Sequence, residues 1–306
     1  MRIGSGSHTY EVVEGWGKLP EGKKYGYTHG VVEDAQGRIY IHNQSADSVC
    51  VFSAEGVFQN SWGPQFASGA HGLHLNKEKS GEYLYLSTTS QGQVVKSTLD
   101  GQMAWAVTTP RRPDLYDSDK RAFRPTETAV GPNGKVYVAD GYGQPYIHVY
   151  SLDGQYETSF GGLGDGPGQL SNPHGVMIDT RGKDPLVLIS DRGNSRLQYF
   201  TLDGKHVKFT GVGIIQKPCT TIQHGDEIYI PDLYSRITVL DKNDQLVCHL
   251  GERKEGWKIP GWPNIAHDLR QVGNFTSPHG LHVDKRGNIY LVEWISDGRV
   301  TKLAKV

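Results

Sequence analysis

The chain has 306 residues, and its 32 Lys and Arg against 33 Asp and Glu leave a formal charge of −1. With no basic block, charge gives nucleic acid or an anionic membrane nothing to bind. No run approaches the ~18 apolar residues of a membrane span, and Cys50, Cys219 and Cys248 lack a CxxC spacing, which argues against a disulfide framework. The N-terminus MRIGSGSHTYEVVEGWG has neither a basic nor an apolar leader region, so the expected location is cytoplasmic.

One pattern runs from end to end. A starting signature recurs as THGVVED at Thr28, AHGLHLN at Ala70, PTETAVG at Pro125, PHGVMID at Pro173, PCTTIQH at Pro218 and PHGLHVD at Pro278. Each copy leads into apolar stretches separated by Gly-containing turns, as in GRIYIHN and SVCVF or KVYVAD and YIHVYSLDG. Four strands per unit at intervals of roughly 40–50 residues mark a β-propeller. The prediction is an all-β, six-bladed propeller forming one domain over 1–306, with blades starting near 28, 70, 125, 173, 218 and 278.

The N-terminal stretch 10–17, YEVVEGWG, reads like the outer strands VFQNSWG from Val57 and QYETSFGG from Gln155. The last unit has only three strands, so 10–17 is predicted to complete blade 6 and close the ring. Two insertions break the period, at 111–123 and at 253–275. Both follow a fourth strand, which places them at the end of the ring where first strands begin and second strands finish.

Two columns of residues are predicted to meet at that end. The first is His29, His71, Thr126, His174, Cys219 and His279. His71, His174 and His279 come from alternate blades, so a sixfold ring would point them at one axis, roughly 120° apart. Three neutral imidazoles with open positions suit a divalent metal, zinc first, with manganese, nickel, iron or magnesium also possible. The competing reading gives Pro-His-Gly a turn and packing role. His29 is either a fourth ligand or a handler of substrate protons.

The second column follows strand two: Asn43, Thr88, Asp140, Asp191, Asp232 and Glu293. Its Asp residues are expected to cap loops by accepting backbone N–H bonds. Tyr142, Arg192, Tyr234 and Trp294 come just after, and loop geometry asks for none of them. Beside a cation, a tyrosine can ionise below its ordinary ~10 and act as a base. Glu127, Tyr234, Trp294, Glu293, Tyr116, Trp257 and Trp262 are the candidates for substrate contact. His74 and His282 fall on the opposite strand face and are expected to pack.

The succession AHGLHL, RPTETAV, VADGYG, NPHGVMID, SDRGNSRLQ and SPHGLHV resembles the peptidyl-α-hydroxyglycine α-amidating lyases among the NHL-repeat propellers. The resemblance implies zinc on His71, His174 and His279, Tyr142 as base, and Arg192 stabilising developing charge during C–N cleavage. It also implies an arginine in the first blade. None stands near Gly26, leaving Arg111, Arg112, Arg121 or Arg124 to replace it. Gly280 stands where that family has an acidic calcium ligand, so no calcium is expected.

The function expected is a metal-dependent lyase acting on a small hydroxylated or carbonyl substrate such as ureidoglycolate. One alternative is a carbohydrate-active metalloenzyme performing elimination, hydration or isomerisation. Another is a gluconolactonase-like hydrolase using Glu293, Asn43 and Asp232. The third is a non-catalytic NHL binding scaffold. The partner expected is a small-molecule substrate, with neither nucleic acid nor membrane.

Overall fold

The computed structural model describes residues 1–112, 114–117 and 122–306. Arg121, with the parts of the first insertion at 113 and 118–121, lies outside the described residues. The described residues form six antiparallel sheets in which strands pair with their neighbours in sequence, except where the N-terminal strand His8–Val13 joins the last strand, Arg299–Lys305. This is the predicted all-β class of six four-stranded blades, with one blade extended. The chain divides into two compact units, Ser68–Gly213 and Met1–Ala67 with Ile214–Val306. Among the described residues, no helix is long and apolar enough to cross a membrane, and none of the three cysteines forms a disulfide.

The unit 68–213 holds blades 2, 3 and 4, whose first strands are Ala70–Glu78, Glu127–Val130 and Pro173–Asp179. Its packing follows from the two-residue period of a strand. In Lys135–Ala139, Val136 and Val138 join Tyr85, Val94 and Tyr150 on one side, while Tyr137 and Ala139 join Val176, Val187 and Ile189 on the other. A strand covered on both faces reads as a continuous apolar run. Each Val or Ile buried this way contributes roughly 1.5–3 kcal/mol.

The unit 1–67 with 214–306 holds blades 1, 5 and 6, whose first strands are Thr28–Glu33, Ile222–His224 and Pro278–Val283. Within Ile289–Glu293 the same alternation sends Ile289 and Leu291 towards Tyr229 and Val239. Tyr290 and Val292 go towards Val31 and Ile41. The N-terminal strand His8–Val13 pairs antiparallel with Arg299–Lys305, Tyr10 opposite Lys305, as the fourth strand of blade 6. It stops earlier than the predicted 10–17 because Gly15 and Gly17 turn the chain with φ of 73° and 74°. A fifth strand, Arg2–Ser5, pairs outside it and was not predicted.

The first strands carry an irregularity that positions the site. In blade 1, Thr28 faces Asn43 and the next pair is Gly30 with His42, so His29 is an extra residue. The same skip occurs at His174, between Pro173–Asp191 and Gly175–Ser190. It recurs at His279, between Pro278–Glu293 and Gly280–Val292, and blade 2 shifts across His71 and Gly72. In blade 3, whose column residue is Thr126, the pairing runs on from Glu127 without a skip. Each column histidine therefore sits in a β-bulge, which bends the strand and re-aims the side chain.

Candidate functional site

In the unit 68–213, His71 and His174 are 2% and 0% exposed, with ring centroids 4.8 Å apart. The Nδ1–H of His71 donates to the Thr126 carbonyl at 2.7 Å. A carbonyl only accepts, so this bond fixes the proton on Nδ1 and leaves a lone pair on Nε2. The glycine after the histidine makes the contact possible, since a Cβ on Gly72 would lie 2.4 Å from that carbonyl oxygen.

The hydroxyl of Tyr142 lies 3.3 Å from His71 Nε2 and 3.0 Å from His174 Nε2. The guanidinium of Arg192 donates to the same oxygen at 3.0 Å and stands 5.3 Å from the Tyr142 ring centroid. Tyr142 is still 40% exposed, so a phenol tied to two buried imidazoles and a cation remains open to a ligand.

Tyr142 and Arg192 follow second strands, and an Asp at or just after the end of each strand anchors the turn. Asp140 accepts the backbone N–H of Arg124 and of Gln144, both at 2.7 Å. Asp191 accepts from Ser171 N–H at 2.7 Å and from the side chains of Asn194, Arg196 and Gln198. Asp232 takes the N–H groups of Gln216 and Lys217.

The other unit repeats the device. His29 and His279 are each 2% exposed, with centroids 4.5 Å apart. The Nδ1–H of His279 donates to the His29 carbonyl at 3.1 Å, and a Cβ on Gly280 would lie 2.2 Å from that oxygen. His29 Nδ1 is 3.4 Å from His279 Nε2, and the amide of Gln44 reaches His29 Nε2 at 3.1 Å. His29 thus carries its proton towards His279.

The same unit gathers four predicted substrate contacts into one aromatic run. Tyr234 stacks on Trp257 at 4.6 Å and meets Trp262 edge-on at 5.8 Å. Trp262 leads to Trp294 at 6.2 Å, and Trp294 to Tyr27 at 5.6 Å. The Trp262 indole is pinned by its N–H to the Thr276 carbonyl at 2.9 Å. All five rings are half-buried.

Glu127 lies in the unit 68–213, 6% exposed, its Oε1 accepting the Thr128 N–H at 3.0 Å. Burial pushes its carboxyl up to about 8.

Two further predicted substrate contacts are engaged by the protein's own groups. Glu293 is 0% exposed, accepts the N–H of Thr276 at 2.5 Å and of Ser277 at 3.2 Å, and pairs with Arg299 at 3.2 Å. It caps its loop like the three Asp residues in its column. Tyr116 donates to Asp140 at 2.5 Å and lies 2.7 Å from His148 Nε2, so it fastens the first insertion to blade 3. Among the proposed replacement arginines, Arg112 is held by both oxygens of Asp114.

His74 packs as predicted, accepting the Val130 N–H at 3.3 Å, and burial lowers its imidazole to about 4. His282 instead lies 3.3 Å from Glu33. Sequence reasoning gave no role to Gln44 or Asn172, both of which hold site residues in place. Asn-Pro at 172–173 was the available signal, since that dipeptide favours a turn.

No family model matches the chain. Human NHL repeat-containing protein 3 is 26% identical over 203 residues, covering 63% of this chain and 57% of that protein. Peptidyl-alpha-hydroxyglycine alpha-amidating lyase 1 of Drosophila melanogaster is 30% identical over 158 residues, 48% of this chain and 28% of that protein. The chain is an NHL-type β-propeller that resembles the amidating lyase. It spans less than two thirds of the length of either relative. Among solved structures, a gluconolactonase from Xanthomonas campestris aligns over 92% of this chain and 86% of its own, with a TM-score of 0.61 at 13% identity. That likeness is one of fold alone.

Proposed function

We propose that this NHL-type propeller is a cytoplasmic, metal-dependent lyase that breaks a C–N bond in a small hydroxylated substrate of the amidoglycolate or ureidoglycolate kind. The observation that carries the reading is the Tyr142 oxygen, held within 3.3 Å of two buried imidazole nitrogens and 3.0 Å of a guanidinium. The resemblance to an amidating lyase points the same way.

His71, His174 and His279 would hold a divalent ion, zinc by preference, since neutral imidazole nitrogen is a usual zinc donor. The donor set fits. The Nδ1–H bonds of His71 and His279 to backbone carbonyls make Nε2 the lone-pair nitrogen of each ring and supply the outer support that metal-binding histidines need. When bound, such an ion supplies Lewis-acid polarisation of a substrate oxygen.

The chain's own groups account for the proton and charge movements. Arg192, against the phenol oxygen, favours its ionised form and faces the negative charge of a substrate carboxylate. Tyr142 takes the proton of the substrate hydroxyl. The O–H electron pair then forms a carbonyl as the C–N bond breaks, and Tyr142 returns the proton to the departing nitrogen. The products are an aldehyde carboxylate and an amide.

A second reading comes from the run Trp257, Tyr234, Trp262, Trp294 and Tyr27, because aromatic faces of this kind stack on sugar rings. The same metal and tyrosine would then catalyse elimination, hydration or isomerisation of a sugar. Gluconolactonase-like hydrolysis is less well supported, because Glu293 and Asp232 are committed to backbone amides and Asn43 to Gly26 N–H.

Metal analysis of the purified protein tests the site. About one equivalent of transition metal is expected, lost in His174→Ala, with glyoxylate released from hydroxyglycine derivatives. Turnover of keto-sugars without glyoxylate release would select the carbohydrate reading. Absence of both metal and turnover would leave a binding scaffold.

A further inference from the structure

We propose that Asn172 is the positioning residue of this site, its amide fixing Arg192 against the hydroxyl of Tyr142. The inference deepens the reading above and rests on Tyr142 and Arg192 being the reacting pair. Asn172 precedes Pro173 and has φ of 54°, a left-handed conformation that asparagine tolerates better than most residues with a Cβ.

From there its side chain reaches in two directions. Its Oδ1 accepts the Nε–H of Arg192 at 2.6 Å, and its Nδ2 donates to the carbonyl of Gly141, the residue before Tyr142. One planar group therefore links the backbone that carries the phenol to the cation that meets it. The guanidinium fork is rigid, so fixing Nε also aims the terminal nitrogen that donates to Tyr142 at 3.0 Å.

A purely structural role would be to hold the turn, but other bonds already do that. Ser171 N–H donates to Asp191 at 2.7 Å, and Gly193 N–H donates to the Ser171 carbonyl at 2.7 Å. Removing the Asn172 amide should leave both in place while releasing the Arg192 Nε–H and the Gly141 carbonyl.

Asn172→Gly keeps the left-handed backbone accessible and deletes the amide. In NMR of arginine-labelled protein, the Arg192 Nε–H signal, assigned by its loss in Arg192→Met, should be slow to exchange in the native chain and at least about tenfold faster in Asn172→Gly. Binding of glyoxylate to the metal-loaded protein should weaken about tenfold on Asn172→Gly, but not when Arg192 is already Met.

An unchanged Arg192 signal, or equal weakening with and without the arginine, would overturn the proposal. Should the glycine variant not fold, Asn172→Asp has a similar backbone preference and keeps an acceptor for Nε–H. It should retain the Arg192 signal yet lose glyoxylate affinity, because it offsets the guanidinium charge, and unchanged affinity would count against the proposal. Native protein that takes up no metal or glyoxylate would refute the lyase reading, while the Arg192 signal would still decide the role of Asn172.

Discussion

Glu127 is a carboxyl with almost no water around it, and burial raises it from an ordinary 4.5 to about 8. The sign of the consequence follows from proton binding. Below about 4.5 folded and unfolded chains both hold the proton and no penalty exists. Between there and about 8 the unfolded chain releases its proton while the folded one keeps it. Stability should therefore fall as pH rises across this window, by up to about 1.4 kcal/mol per unit. Glu127→Gln cannot ionise and should lack this slope. Urea unfolding of both proteins from pH 5 to 8.5 checks it: the variant should gain on the native chain as pH rises, and parallel profiles would contradict the assignment. Glu293 and Tyr116 belong to the same scale. Both stand in the sequence where a ligand-facing acid or phenol would stand. Composition cannot distinguish a carboxylate aimed at solvent from one turned back onto Thr276 and Ser277, since that depends on where the chain returns.

At the scale of the strand, the unit of design is the dipeptide His-Gly rather than the histidine. The bulge supplies the extra residue, and the glycine lets a neighbouring carbonyl approach closely enough to take the Nδ1 proton. The four His-Gly pairs were legible as a column, with Thr126-Glu127 and Cys219-Thr220 as the exceptions. The bulge was not legible, because register is set by the partner strand, and one added residue leaves the apolar pattern of GVVE or GVMID intact. Gly280→Ala tests the unit directly. Its Cβ would press on a backbone oxygen at 2.2 Å, which cannot swing aside as a side-chain end would. A stability loss of about 1–3 kcal/mol is expected. Loss of the His279 Nδ1–H bond should also weaken metal binding roughly 10–100-fold. Thermal unfolding and competition with a chromophoric chelator measure the two effects, and a variant that matches the native chain in both would refute the coupling.

The fold as a whole was legible because six copies of one pattern repeat the same information, and because strands such as Lys135–Ala139 feed a core on each face and so read as unbroken apolar runs. The fifth strand, Arg2–Ser5, was not, since RIGS is short, largely exposed and held mainly by pairing with His8–Val13, with Ile3 alone packing on the core. The two N-terminal strands should accordingly differ in what their loss costs. Deleting residues 1–6 removes a mostly exposed edge and should change stability by no more than about 1 kcal/mol. Deleting 1–13 also removes Tyr10 and Val12, which are buried with Leu291, Leu303 and Phe275. A fully buried aromatic alone is worth about 3–5 kcal/mol, a large part of the roughly 5–15 kcal/mol that stabilises a typical domain. It also leaves Arg299–Lys305 as an unpaired edge that invites association with other chains. The longer deletion should therefore unfold at far lower urea or elute as aggregate, and a synthetic peptide of residues 1–17 should restore the monomer by re-forming the pairing of Tyr10 with Lys305. Equal urea midpoints for the two deletions would show that the N-terminal strand is an ornament on blade 6 rather than its fourth member.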